Sequence, residues 1–186
     1  MKNRLIIFDC FGVIFGEVAP VFLRKHLPKE EAAIVKEKLF RPADLGIVTY
    51  DELLDNMAKE LCLNKDEMIK EWNETFHLNE KIVPVIEALG KTADIALLSN
   101  APLGLVERLF EHYGLTKLFD KMFVSSNLKM AKPDLEIYRY CVSQFEKDYD
   151  EVFMIDDNTG NLEHLHEIGI TAVHYTDVES LTNALT

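Results

Sequence analysis

Five short apolar runs mark the chain, at residues 5–8, 95–98, 122–124, 152–155 and 170–173. Each is nearly continuous in apolar residues rather than alternating with polar ones. That pattern predicts strands buried on both faces, as in a parallel sheet covered by helices. Helical periodicity fills the spaces between them. Leu103, Val106, Leu109 and Phe110 repeat at helical spacing, with Gly114 as a stop. Leu135, Ile137, Tyr138, Cys141, Val142 and Phe145 mark a second helix, with Pro133 near its start. Leu162, Leu165 and Ile168 mark a third, closed by Gly169. Strand alternating with helix is the rhythm of a doubly wound α/β fold.

Residues 16–80 break this rhythm. They contain no good strand and read as helices over 19–26, 29–39, 50–61 and 65–76. The expectation is a helical cap inserted after the first strand, above the strand ends, on a core made of residues 1–15 and 81–186. Within the insert, Trp72 and Phe76 stand four residues apart, a spacing that packs them together inside the cap or on the wall of a pocket beneath it. Lys36, Lys38 and Arg41 read as a solvated helix face, with contact to an anionic substrate as the alternative.

Composition narrows the classes. A net charge of −12 argues against non-specific binding to nucleic acid and against an anionic membrane surface, both of which need clustered Lys and Arg. No stretch approaches the length of a membrane span, and the apolar run at residues 5–8 is too short for a signal peptide. Cys10, Cys62 and Cys141 are far apart, odd in number and without metal-ligand spacing, so reduced thiols in the cytoplasm are expected.

Candidate chemistry lies where the apolar runs end. Asp9 follows the first run, and Ser99 and Asn100 follow the second. A loop carrying Lys129 and Lys132 follows the third, and Asp156, Asp157 and Asn158 close the fourth. Ligands of open parallel sheets bind beyond the carboxyl ends of the strands, so these scattered groups converge on one crevice. Carboxylates brought that close repel one another unless a cation sits between them. Oxygen donors and the lack of a His or Cys group favour magnesium over zinc. Lys132 and the Ser99 hydroxyl suit phosphoryl oxygens, which leaves Asp9 to act as a nucleophile.

The run IIFDCFGVIF, then LLSNA, KMAKPDLEIY and VFMIDDNTGNLEHLHEIGI, resembles the haloacid dehalogenase-like (HAD) hydrolase superfamily, with four motifs in order along nearly the whole chain. Asp156-Asp157-Asn158 and Asn161 are similar to its branch of small phosphatases, which includes sugar-1-phosphate phosphatases and the N-terminal domain of bifunctional epoxide hydrolases. The resemblance implies a Rossmann-like core and a phosphomonoester hydrolase acting through an aspartyl-phosphate, with magnesium (Mg2+) as cofactor and a small phosphorylated metabolite, such as a sugar phosphate, as substrate. It also implies roles. Asp9 is nucleophile and metal ligand, and the Phe11 carbonyl is a second ligand. Asp156 is a third, with Asp157 as a secondary or outer acid. Ser99 and Asn100 hold the phosphoryl oxygens, and Lys132 stabilises the charge of nucleophile and transition state.

The chain departs from that pattern at Phe11. Most phosphatases of the superfamily carry a second aspartate there as general acid and base, a role typically worth ~10²–10⁴-fold. Glu17 and His26 are candidates for the missing proton donor. The 2-haloacid dehalogenases also place an aromatic residue after the nucleophile and need neither metal nor acid, but they resemble Ser-Ser-Asn where this chain has Asp156-Asp157-Asn158. A catalytically weak binding or regulatory module is the third reading that Phe11 leaves open.

Overall fold

A computed structural model describes residues 3–185; the outermost ends of the expected core, residues 1–2 and 186, lie outside the described residues. The chain opens with β1 (Arg4–Phe8) and passes through four helices, α1 (Ala19–His26), α2 (Lys29–Asp44), α3 (Tyr50–Glu60) and α4 (Lys65–Asn73). It returns through α5 (Val83–Leu89) to β2 (Asp94–Ser99), α6 (Leu105–Tyr113), β3 (Lys121–Val124), α7 (Ser125–Leu128) and α8 (Leu135–Ser143). Then come β4 (Glu151–Asp156), β5 (Thr171–His174) and α9 (Val178–Leu185). The five strands form one parallel sheet in the order β3-β2-β1-β4-β5.

The continuous apolar runs follow from this architecture. On β1, Ile6 and Phe8 enter one core with Ile95 and Leu97 of β2 and Phe153 and Ile155 of β4. Leu5 and Ile7 point the other way, into a second core with Ala96, Leu98 and Met154. Side chains alternate along a strand, and helices cover both faces, so both alternating sets must be apolar. Burying each such Leu or Ile is worth about 1.5–3 kcal/mol.

The helices α1–α4 carry a core of their own, centred on Phe22, Leu39, Leu53, Met57 and Trp72. Thr49 and Glu52 form a reciprocal capping box at the start of α3, and Asn64 caps α4. The chain enters and leaves this insert side by side: Gly16 donates to the His77 carbonyl at 3.0 Å, and Asn79 to that of Ile14 at 2.8 Å.

Three local expectations change. The segment around Leu162, Leu165 and Ile168 is not an α-helix but two 3₁₀ turns, Thr159–Asn161 and Leu165–Ile168. Asn158 holds the Gly160 N–H, and the Asn161 amide is held by Asp156, so the segment is tied to the strand end rather than free to wind regularly. The helix after β2 begins at Leu105, not at Leu103, because Gly104 takes a left-handed φ of 77°. Helix α2 runs five residues past its expected end, through Pro42, and stops at Gly46, whose φ is +66°. Proline removes one hydrogen bond in the last turn; Phe40 and Ala43, both buried, hold that turn in place.

Candidate active site

The three central strands are β2, β1 and β4, and their carboxyl ends carry Ser99, Asp9 and Asp156. The chain crosses from one side of the sheet to the other between β3 and β4, so the crevice opens beside β1. Asp9 is fixed by its own N–H, which donates to the Ile155 carbonyl at 2.9 Å. Its Oδ1 accepts the Cys10 N–H at 2.6 Å and the Lys132 ammonium at 2.8 Å. The same ammonium donates to Asp156 Oδ2 at 2.6 Å, so one buried cation joins two carboxylates from neighbouring strands.

Asp156 is saturated: it also accepts the Asn158 N–H at 2.8 Å and the Asn161 amide at 3.0 and 3.1 Å. It is wholly buried. Asp157 is the acid that faces the open crevice. It lies against the backbone of Gly12, where a Cβ would fall 2.1 Å from its carboxyl carbon and where φ is +88°. Only glycine permits that approach. Carboxylate oxygens of Asp9, Asp156 and Asp157 all lie within 4.8 Å of one another. The Phe11 carbonyl, two residues after Asp9, accepts no hydrogen bond among the described residues.

Burial pushes the Asp9 carboxyl up to about 8, against the pull of Lys132 and with the help of the Asp156 charge. Asp157 is raised by burial and by Asp156 and Glu17. Burial disfavours the Lys132 ammonium, but Asp9 and Asp156 outweigh it and hold the pKa above the ordinary range. Three carboxyl groups thus face a single ammonium, and ionising all of them leaves a surplus of negative charge that a hard dication offsets. Crowded carboxylate oxygens, a free carbonyl and a glycine that lets Asp157 close in are donors that fit magnesium.

The expected phosphate ligands divide. Ser99 is fully buried and does not line the crevice; its hydroxyl faces the Cys10 thiol. The Asn100 side chain is occupied: it donates to the Lys132 carbonyl and accepts the Lys132 N–H, each at 2.9 Å, so it positions Lys132. Lys129, in the same loop, does not line the crevice.

The crevice widens into a cavity of about 820 Å³ between the strand ends and the inserted helices. That is a size for a small-molecule ligand. One wall is apolar, made by Phe11, Phe40, Trp72, Phe76 and Leu105. Trp72 meets Phe76 edge-on at 5.4 Å, so the pair is at once cap core and pocket wall. The basic cluster splits. Lys36 and Arg41 line the cavity, and Arg41 donates to the Lys132 carbonyl at 3.2 Å. Lys38 turns away to pair with Glu60 at 2.7 Å. Glu17 reaches the cavity but pairs with Arg24 at 3.3 Å, and His26 faces Glu71 at 3.1 Å outside it. His174, which has no evident partner in the sequence, meets the Asp157 carbonyl at 3.0 Å.

Asp44 also lines the cavity, and the sequence did not single it out. Pro42 reads as a helix stop, which hides that Asp44 is three residues from Arg41 on the same helix face. The glycine at position 46 is the better stop signal.

The chain resembles known proteins along nearly its whole length. It is 24% identical over 178 residues to a sesquiterpene phosphatase of Aspergillus oryzae, covering 94% of this chain and 90% of that protein. It is 25% identical over 193 residues to a drimenol cyclase of Aspergillus calidoustus, of which it spans 36%. Its fold matches a HAD-family enzyme of Bacteroides thetaiotaomicron solved with magnesium and inorganic phosphate, at a TM-score of 0.78 and 20% identity, over 98% of this chain and 99% of that one. Residues 3–169 match the family model described as haloacid dehalogenase-like hydrolase, and the chain belongs to that family of enzymes.

Proposed function

We propose that this hydrolase is a magnesium-dependent phosphomonoesterase that works through a phosphorylated Asp9. The observation that carries the reading is the buried Asp9–Lys132–Asp156 chain, with Asp157 turned into the same cavity. Asp9 Oδ1 is held by the Cys10 N–H and by Lys132, which leaves Oδ2 to attack phosphorus. The new oxygen–phosphorus bond forms as the ester oxygen leaves, and water then hydrolyses the acyl phosphate and restores Asp9. Lys132 offsets negative charge on the nucleophile and on the transferring group. Asp156 keeps Lys132 in place, while Asp9, Asp157 and the Phe11 carbonyl are the groups open to hold the metal. Magnesium, when bound, neutralises phosphoryl charge and fixes its direction relative to Asp9. Ser99, the last residue of β2 beside the Asp9 strand, is the side-chain donor for a phosphoryl oxygen that the motif resemblance implies.

The four inserted helices act as the cap, and their aromatic wall selects the body of the substrate. Phe40, Trp72 and Phe76 favour an organic phosphate with a substantial apolar body over a bare sugar phosphate, in keeping with the relative named as a sesquiterpene phosphatase. No helix among the described residues is long and apolar enough to cross a membrane, and the unpaired, exposed Cys62 suits a reducing cytoplasm.

The test is hydrolysis of para-nitrophenyl phosphate with and without magnesium, beside Asp9→Asn. This leaving group needs little acid assistance, so Phe11 does not mask turnover. Magnesium-dependent hydrolysis lost in the variant is the expected result. Halide release from a 2-haloacid, with no phosphate release, would replace phosphatase by dehalogenase chemistry.

A further inference from the structure

Phe11 leaves the proposed reaction without a proton donor for its leaving group, and the cap supplies a carboxyl in its place. Asp44 is the last residue of α2, and the structure seats that end of the helix on the core at two points that bracket it. Three residues before it, Arg41 donates to the Lys132 carbonyl at 3.2 Å. Two residues after it, Gly46 lies against the Ser126 carbonyl oxygen, which a Cβ would approach to 2.5 Å. Asp44 is therefore held at a defined place on the cavity that Asp9 and Asp157 also line. Its carboxyl has no hydrogen-bond or ion-pair partner among the described residues.

Every other acid or imidazole at hand is exposed or engaged. Glu17 pairs with Arg24, and the His174 ring meets the Asp157 carbonyl. Glu37 is exposed at the cavity rim, and Asp157 belongs to the carboxylate cluster beside Asp9. Burial pushes Asp44 up to about 7, against Lys36, Arg41 and Lys132 and with Glu37, so a neutral carboxyl is well populated near neutrality.

Resting on the phosphatase reading, we propose that Asp44 is the general acid of this site: its carboxyl O–H protonates the departing ester oxygen. As the Asp9 Oδ2–phosphorus bond forms, the ester phosphorus–oxygen bond breaks. The Asp44 proton passes to that oxygen, and the alcohol leaves. The Asp44 carboxylate then takes a proton from the water that attacks phospho-Asp9, which releases phosphate and restores both acids.

The experiment measures kcat/KM with magnesium on a series of phosphomonoesters whose leaving groups run from 4-nitrophenol through phenol to a primary alcohol. Wild type, Asp44→Asn and Asp44→Glu are compared, with circular dichroism to confirm the fold. A general acid matters more as the leaving group becomes more basic, and its loss typically costs ~10²–10⁴-fold. Asp44→Asn is expected to lose at least about 100-fold on the alkyl ester and at least about tenfold less on the nitrophenyl ester. Asp44→Glu keeps part of the alkyl activity. An equal loss across the series, or no loss, overturns the assignment while the phosphatase reading stands. A wild type that hydrolyses none of the esters overturns both.

Discussion

Lys132 is an ammonium with almost no contact with water, and it can be there because Asp9 and Asp156 each give it an oxygen within 2.8 Å. Removing one member of such a group leaves buried charge uncompensated, which typically costs about 3–5 kcal/mol. Lys132→Met is therefore expected to unfold at lower temperature than wild type, and the gap should depend on pH. Without the ammonium, Asp9 keeps its burial and the neighbouring Asp156 charge and loses its counter-charge, so its folded pKa rises further. A carboxyl whose pKa is raised by folding gives up its proton first in the unfolded chain, so stability falls as pH climbs above about 4. That fall ends near 8 in the wild type and continues above it in the variant, so in the presence of a chelator thermal melts should show a larger deficit at pH 9.5 than at pH 6; a deficit independent of pH would mean that Lys132 acts through packing alone. At this scale Asp9, Lys132, Asp156 and Asp157 were legible in the sequence because polar residues at strand ends are conspicuous against apolar runs. The different duties of the two adjacent acids were not legible. Which of them faces the cavity follows from the Asn158 and Asn161 bonds to Asp156 and from the absence of a side chain at Gly12.

Helix α2 is the element that joins cap to site. Its C-terminal half brings Lys36, Arg41 and Asp44 to the cavity, and Gly46 lets the last turn settle on the backbone of Ser126. A side chain at position 46 meets two obstacles at once, a left-handed φ of +66° and a carbonyl oxygen 2.5 Å from the Cβ. Gly46→Ala should therefore lift the helix end by more than it destabilises the core. The expected outcome is a fall of about tenfold or more in kcat/KM with a loss of about 1–3 kcal/mol in stability; unchanged kcat/KM would show that this contact does not set the site. The strands and most helices were readable from periodicity. The end of α2 was not, because Pro42 is a strong local stop signal that the burial of Phe40 and Ala43 overrides. The 3₁₀ turns after β4 escaped for a similar reason: the apolar spacing of Leu162, Leu165 and Ile168 is helical, but the Asn161 bond to Asp156 ties the segment to the site.

At the scale of the whole molecule, the sheet order β3-β2-β1-β4-β5 puts the strand that ends at Asp9 in the centre, with the strands that end at Ser99 and Asp156 on either side. Residues separated by more than a hundred positions thus meet within hydrogen-bond distance, as Asp9 and Lys132 do at 2.8 Å. The inserted helices close a cavity of about 820 Å³ over that point, rigid polar groups at its floor and aromatic rings on its wall. This division, polar groups at the strand ends and aromatic rings on the insert, explains why the hydrolase family could be read from motifs while the cavity wall could not. The wall is assembled from Phe11, Phe40, Trp72, Phe76 and Leu105, which belong to separate segments and carry no shared motif. The central claim is that phosphate passes through Asp9. The most direct test is rapid acid quenching of the enzyme during turnover of a phosphomonoester with magnesium, followed by digestion and mass spectrometry of the peptide that contains residue 9. The account predicts a phosphoryl group on Asp9 in wild type and none in Asp9→Asn. Turnover with no phosphorylated Asp9, or with the phosphoryl group on another residue, would contradict it.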